Sequence, residues 1–260
     1  MRREAVPVPV AVAAAIAVGF FVLPLAGLLY RVPWQTALAE LATGEALTAL
    51  RLSLFVSLAA TALGLVFGVP LAWAYARAPF PGRDAARALT TLPMVLPPVV
   101  GGVALLFAFG RRGLLGQLLD PLGIRLPFTT AGAVLAATFV AMPFLVLTVE
   151  AGLRSMDRRY EEAARTLGAG RWRVFREVTL PLVAPSLYSG AVLCWARALG
   201  EFGATITFAG NLPGTTQTLP LAVYVALETR PESAVMLSLL LLAVSLAILV
   251  ALRDRYLRLL

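Results

Sequence analysis

Long apolar runs, separated by short clusters of arginine, set the pattern of this chain. A bilayer span needs about 20 consecutive apolar residues. Five windows reach that length without a charge: Val8–Tyr30, Leu52–Ala76, Ala88–Gly110, Thr130–Val149 and Ser233–Leu252. A sixth, Leu182 to about Gly210, reaches it only by accepting Arg197 and Glu201 in its middle. The pattern predicts an all-α polytopic membrane protein of six transmembrane helices, with residues 1–260 forming one transmembrane domain. Met1-Arg2-Arg3 and the apolar run after them resemble a signal peptide. The run is longer than the roughly 7–15 residues of a signal h-region, so it reads as an uncleaved first span. Trp34–Leu50 reads as a short external stretch, an amphipathic helix on the membrane surface. No internal repeat is visible, which argues against an inverted-repeat secondary transporter.

Composition agrees with that reading. The chain has 260 residues, 60% hydrophobic and 14% charged, where soluble proteins average roughly 45–50% and 25%. Mean hydropathy is +0.85, which excludes disorder, a fibrous protein and an ordinary soluble enzyme. The net charge of +8 comes from 22 basic residues, all arginine. With a cytoplasmic N-terminus, fifteen of them fall inside, at 2–3, 77–87, 154–176 and 253–258. Six fall outside, and Arg197 lies within a span. That excess places both termini in the cytoplasm. The basicity is thus mostly a topology signal, and no nucleic-acid partner is expected. Cys194 is the one cysteine and there is no histidine. An intramolecular disulfide, a zinc site of the usual ligands and a serine–histidine pair are all excluded.

The most informative region is the predicted cytoplasmic loop 151–181. A plain helix connection needs roughly 2–8 residues, so this loop has structure of its own. Asp157 is placed as an N-cap. Tyr160, Ala163, Ala164 and Leu167 recur at helical spacing on one face. Gly168 stands where a helix ends, since glycine accepts positive φ without steric cost, and a second helical stretch begins near Trp172. On spacing alone, the first helix could either lie on the lipid surface or receive another protein. The order Glu162-Ala163-Ala164, three residues, Gly168, nine residues, Val178-Thr179-Leu180-Pro181 resembles the EAA loop of ABC importer permeases. It departs only by valine where that pattern has isoleucine. The resemblance implies type I ABC importer permease architecture. It also implies that Glu161, Glu162, Ala163, Ala164, Leu167 and Gly168, with Leu180 and Pro181, belong to a coupling element that docks in a cytoplasmic ATPase subunit. The chain has no lysine and so no Gly-x-x-x-x-Gly-Lys-Ser/Thr phosphate loop. No cofactor is expected in this chain, and ATP would be bound by the partner subunit. One EAA loop per chain, against two clefts in an ATPase dimer, implies a second copy of this chain or a paralogue.

Two further segments draw attention. Pro93, Pro97 and Pro98, followed by Gly101, interrupt the third window. Three prolines in six residues remove backbone donors. In lipid that is tolerated only against protein or a water-filled cavity, so the segment is either a pathway-lining break or a packed kink. In the fifth window Arg197 and Glu201 stand at i and i+4, ahead of Thr205. Intramembrane charges face the protein interior. These two form a structural ion pair or contribute to a gate or subunit interface, and Arg preceding Glu is the weaker order on a helix. Residues 197–224, with Phe109–Gly116 and the EAA loop, resemble the molybdate ABC permeases; the sulfate/thiosulfate permeases are close relatives. Thr216-Gln217-Thr218-Leu219-Pro220-Leu221 leans toward the molybdate branch. The resemblance implies a bacterial cytoplasmic-membrane permease for molybdate, with tungstate as a second cargo, partnered by two ATPases and an external oxyanion-binding protein. A stand-alone secondary transporter would need midplane acids, and only Glu201 offers itself. An intramembrane enzyme would need a catalytic pair, and no histidine is available.

Overall fold

The computed structural model describes residues 7–35 and 44–257; the side chains of 249 and 251–257 are not described. All the regular structure among these residues is helical. In chain order the helices are α1 (Val8–Tyr30), α2 (Gly44–Arg77), α3 (Arg83–Thr91), α4 (Pro98–Phe109), α5 (Thr130–Ser155), α6 (Arg159–Thr166), α7 (Arg171–Leu199), α8 (Gly203–Phe208), α9 (Leu219–Thr229) and α10 (Pro231–Leu257), with a helical turn at Gly116–Leu119 between α4 and α5. Five of them are long and apolar enough to cross a membrane, or six if the bent α3–α4 pair counts as one.

The centre of the molecule is α5. Thr129 caps its start, accepting a hydrogen bond from the Gly132 N–H. Its alanine-rich face, Ala133, Ala136, Ala137 and Ala141, is fully buried. Small side chains let α2 and α7 approach closely, which is how spans associate where lipid removes the hydrophobic drive between helices. The core that results joins Val56, Ala60 and Tyr75 of α2, Leu145, Val149 and Leu153 of α5, and Val183, Cys194 and Ala198 of α7. A second cluster sets Leu105 of α4 and Phe208 of α8 against Ala136 and Val140. By contrast α1 buries no residue, and Val32, just past its end, meets Met236 of α10.

A hydroxyl stripe runs down α2 at Ser53, Ser57 and Thr61, all buried. Ser53 Oγ accepts the Leu219 N–H at 2.6 Å. Ser57 Oγ accepts the Trp195 indole N–H at 2.8 Å. These bonds seat the start of α9 and the end of α7 on α2, and each satisfies a donor that hydrocarbon would leave bare. Between α4 and α5, Asp120 accepts from the Nε of Arg111 and of Arg125, each at 3.1 Å. The two guanidiniums hold its carboxyl below the usual carboxylate range.

Several boundaries differ from the windows read off hydropathy. The second span begins at Gly44 and includes Arg51. Residues 44–50 are therefore the start of α2, not a surface helix, while 36–43 fall outside the described residues. The third window, 88–110, is not one continuous helix. Its two helices meet at 119°, at Pro97-Pro98, where each proline disfavours helical geometry in the residue before it. Pro97 takes ψ 132 and α4 restarts at Pro98. The fourth apolar helix continues to Ser155 and the fifth begins at Arg171, so the segment between these two helices is 156–170, shorter than the 151–181 between the apolar windows. Hydropathy stops at the apolar segment, whereas the helices continue as long as backbone and side chains pair. The fifth helix ends at Leu199 and α8 restarts at Gly203, so 182–210 is broken too. The sixth runs 231–257 rather than 233–252.

Candidate functional site

The loop between α5 and α7 is built around α6. Asp157 Oδ1 accepts the Arg159 N–H at 2.9 Å, and the helix starts at that residue. At the other end Gly168 has φ +85. Its N–H bonds to the Arg165 carbonyl, and the Ala169 N–H reaches back to the Ala164 carbonyl at 3.0 Å. This is a Schellman closure, in which glycine supplies the left-handed residue. The predicted face points outward. Tyr160 and Trp172 are exposed and Leu167 is 88% exposed. Glu162 and Ala163 are exposed as well, and Ala164 is partly covered. Leu180 and Pro181, read as the end of the loop, lie in the body of α7 and are exposed.

One residue of α6 turns inward. Glu161 is 8% exposed. It accepts a hydrogen bond from Thr179 Oγ1 at 2.8 Å and lies 3.6 Å from Arg77 at the end of α2. Thr179 closes a π-helical turn at Phe175–Thr179. Such one-turn insertions are frequent at functional sites. A second carboxylate lies nearby in the chain and was not legible in the sequence. Glu150 of α5 is 1% exposed and sits between Arg87 of α3 at 3.0 Å and Arg154 at 2.8 Å. The charge-free fourth window ends at Val149 because Glu150 is charged, and the loop is read from 151, so Glu150 falls between the two; nothing in its neighbours marks it as buried.

The breaks in the third and fifth windows meet each other. α4 packs along α8. A Cβ added to Gly203 would lie 2.7 Å from Pro98 Cβ, and one added to Gly102 would lie 2.6 Å from Thr207 Cβ and 2.9 Å from the Ala204 carbonyl oxygen. Gly102→Ala is therefore expected to destabilise the complex by about 1–3 kcal/mol through overpacking, read as a lower melting midpoint in detergent. Of the residues singled out here, Pro97 and Pro98 are exposed, while Pro93, Gly101 and Thr205 are buried within the chain. Arg197 and Glu201 pair at 2.7 Å, yet not along a helix. Gly200 ends α7 and Glu201 sits in the break. It folds back onto Arg197 and also accepts the Ala204 N–H at 2.8 Å. The unfavourable Arg-before-Glu order therefore does not apply, and Arg197 stands in the last turn of α7, where the helix dipole favours a cation. Along α7, Thr179 and Arg197 are about 27 Å apart at 1.5 Å per residue. The loop and the paired breaks thus occupy different levels of the molecule.

Comparison with known proteins agrees with this arrangement. The chain is similar to the molybdenum transport system permease protein ModB of Mycobacterium tuberculosis, 48% identical over 87% of this chain and 86% of that protein. It is less similar to the sulfate transport system permease protein CysT of Escherichia coli, at 36% over 85% and 82%. Its fold matches a bacterial ABC transporter involved in the import of the acidic polysaccharide alginate, with a TM-score of 0.73 at 20% identity, covering 96% of this chain and 93% of that one. Residues 64–260 match the family model of the binding-protein-dependent transport system inner membrane component. With its broken spans and outward-facing α6, the chain belongs to that family of inner-membrane transport subunits.

Proposed function

We propose that this chain is the membrane-spanning permease of an ATP-driven importer of molybdate, with tungstate as a second cargo. The observation that carries the importer reading is α6. It is a short capped helix held to the body by Glu161, with Tyr160, Leu167 and Trp172 offered to a partner. Exposed aromatics of this kind anchor protein interfaces. Glu162, Ala163, Ala164 and Gly168 form the dock for a cytoplasmic ATPase. On this reading 156–170 and both termini face the cytoplasm, as the arginine count expects. The chain holds no cofactor, and ATP is bound by the ATPase. Two copies of the chain present two docks, and an external binding protein delivers the oxyanion. Closure of the ATPases moves the docks, and the spans around the paired breaks open alternately to either side. The cargo reading rests on greater similarity to molybdenum than to sulfate permeases.

Deleting the gene is expected to lower molybdoenzyme activity when molybdate is scarce, with recovery when molybdate is in excess. Tungstate should compete with labelled molybdate for uptake. Sulfur auxotrophy with normal molybdoenzymes would overturn the cargo in favour of sulfate.

A further inference from the structure

Like α1, α3 buries no residue. It is the arm that leads into the proline break, through Leu92–Met94 to α4. Two polar contacts hold it to the body. Arg87 Nε lies 3.0 Å from Glu150 Oε2, and Thr90 Oγ1 lies 2.7 Å from the Tyr75 hydroxyl of α2. Ala86 adds a partly buried contact with the core. Glu150 itself is on the last full turns of α5, just before that helix runs out into the loop that carries α6. Its other oxygen is held by Arg154, whose Nη2 also donates to the Tyr75 carbonyl at 3.3 Å. One buried carboxylate thus joins the ends of α2 and α5 to the arm.

A buried carboxylate is a costly way to add stability, because a well-packed apolar side chain would serve as well or better. An ion pair differs from apolar packing in being directional: it holds one group to another at a set distance. Here the pair spans α5 and α3, whose other contact comes where Leu92–Met94, the end of the arm, packs on α5. Displacement of α6 reaches Ser155 and the last turns of α5 through the chain itself. From there the Glu150–Arg87 pair is the polar connection to α3, beside the packing of Leu92–Met94 on α5.

We infer that Glu150 is a positioning residue which, through Arg87, carries movement of the ATPase dock to the α3 arm and so to the proline break. The inference rests on the importer reading above. Arg87 is the decisive position for a test. Its guanidinium is partly exposed, and its removal leaves Glu150 still paired with Arg154, so no buried charge is orphaned.

The permease with its ATPase and binding protein would be reconstituted in vesicles as wild type, Arg87→Gln, Arg87→Lys and Glu150→Gln. Amide hydrogen exchange would be followed before and after trapping with ATP and vanadate. In the wild type, trapping should change exchange in both 156–170 and 83–94. In Arg87→Gln the loop should still respond while 83–94 does not, and ATP consumed per molybdate taken up should rise about tenfold, a typical coupling loss. Arg87→Lys, which keeps the charge, should retain part of the response, and Glu150→Gln should behave like Arg87→Gln. An Arg87→Gln complex whose 83–94 responds as in wild type would overturn the inference. So would one that fails to assemble, since the pair would then be a folding contact. A wild-type complex that hydrolyses ATP and responds in both segments but takes up no molybdate would refute the cargo instead, and the exchange result would still judge the linkage.

Discussion

Replacing Gly168 by valine is expected to abolish substrate-stimulated ATP hydrolysis and uptake while leaving the spans inserted. The reason is backbone geometry rather than space. Gly168 has φ +85, and nothing lies within 4 Å of where its Cβ would be. A β-branched residue at that φ costs roughly 1–3 kcal/mol. On a short helix such as α6, that is enough to undo the closing turn. The bonds from Gly168 N–H to Arg165 and from Ala169 N–H to Ala164 would be lost together, and with them the placement of Leu167 and Trp172. Asparagine tolerates the left-handed region, so Gly168→Asn should keep most uptake. Co-purification of the ATPase with each variant, alongside uptake, checks the argument. If Asn fails as completely as Val, the position matters for contact with the partner and not for its φ. If Val transports at the normal rate, α6 is not the coupling element.

Much of this arrangement was readable before any coordinates. Among the described residues, each of the five helices long and apolar enough to cross a membrane overlaps one of the apolar windows, because lipid forces backbone pairing within each segment, and Val8–Tyr30 agrees with the structure to the residue. Gly168 was legible because a single physical requirement, positive φ at a helix end, selects glycine. What was not legible depends on contacts between distant residues. The inward turn of Glu161, which the resemblance assigns to the dock, and the pairing of Glu150 and Arg77 show only when α2, α3, α5 and α6 are brought together. The hydroxyl stripe Ser53, Ser57 and Thr61 carries no charge and so left the second window looking purely apolar, although it seats α7 and α9. The prolines announced a break but not its 119° angle. They also gave no sign that this break packs on the one at Gly200–Phe202, which only the close approach at Gly102 and Gly203 reveals.

The pair inside that second break gives the other large expected effect. Arg197→Leu should be the most damaging single change there. It would leave Glu201, only 2% exposed, as an uncompensated carboxylate, at about 3–5 kcal/mol for a broken buried pair. Glu201→Leu should cost less, because the Arg197 side chain is 29% exposed and can keep part of its hydration. That change also removes the acceptor for the Ala204 N–H, worth roughly 1 kcal/mol. Glu201→Gln keeps an acceptor there and should be milder than Glu201→Leu. Replacing both residues by leucine removes the charges together, so the double variant should be more stable than Arg197→Leu alone, yet short of wild type by the lost Ala204 bond. The non-additivity should fall at about 0.5–3 kcal/mol, the range for residues in direct contact. The measurement is the melting midpoint of the purified complex for the wild type and the four variants, together with its yield in membranes. If the two single losses simply add in the double variant, the ion pair does not hold the break, and the fold of Gly200–Phe202 rests on the packing of α4 against α8 alone.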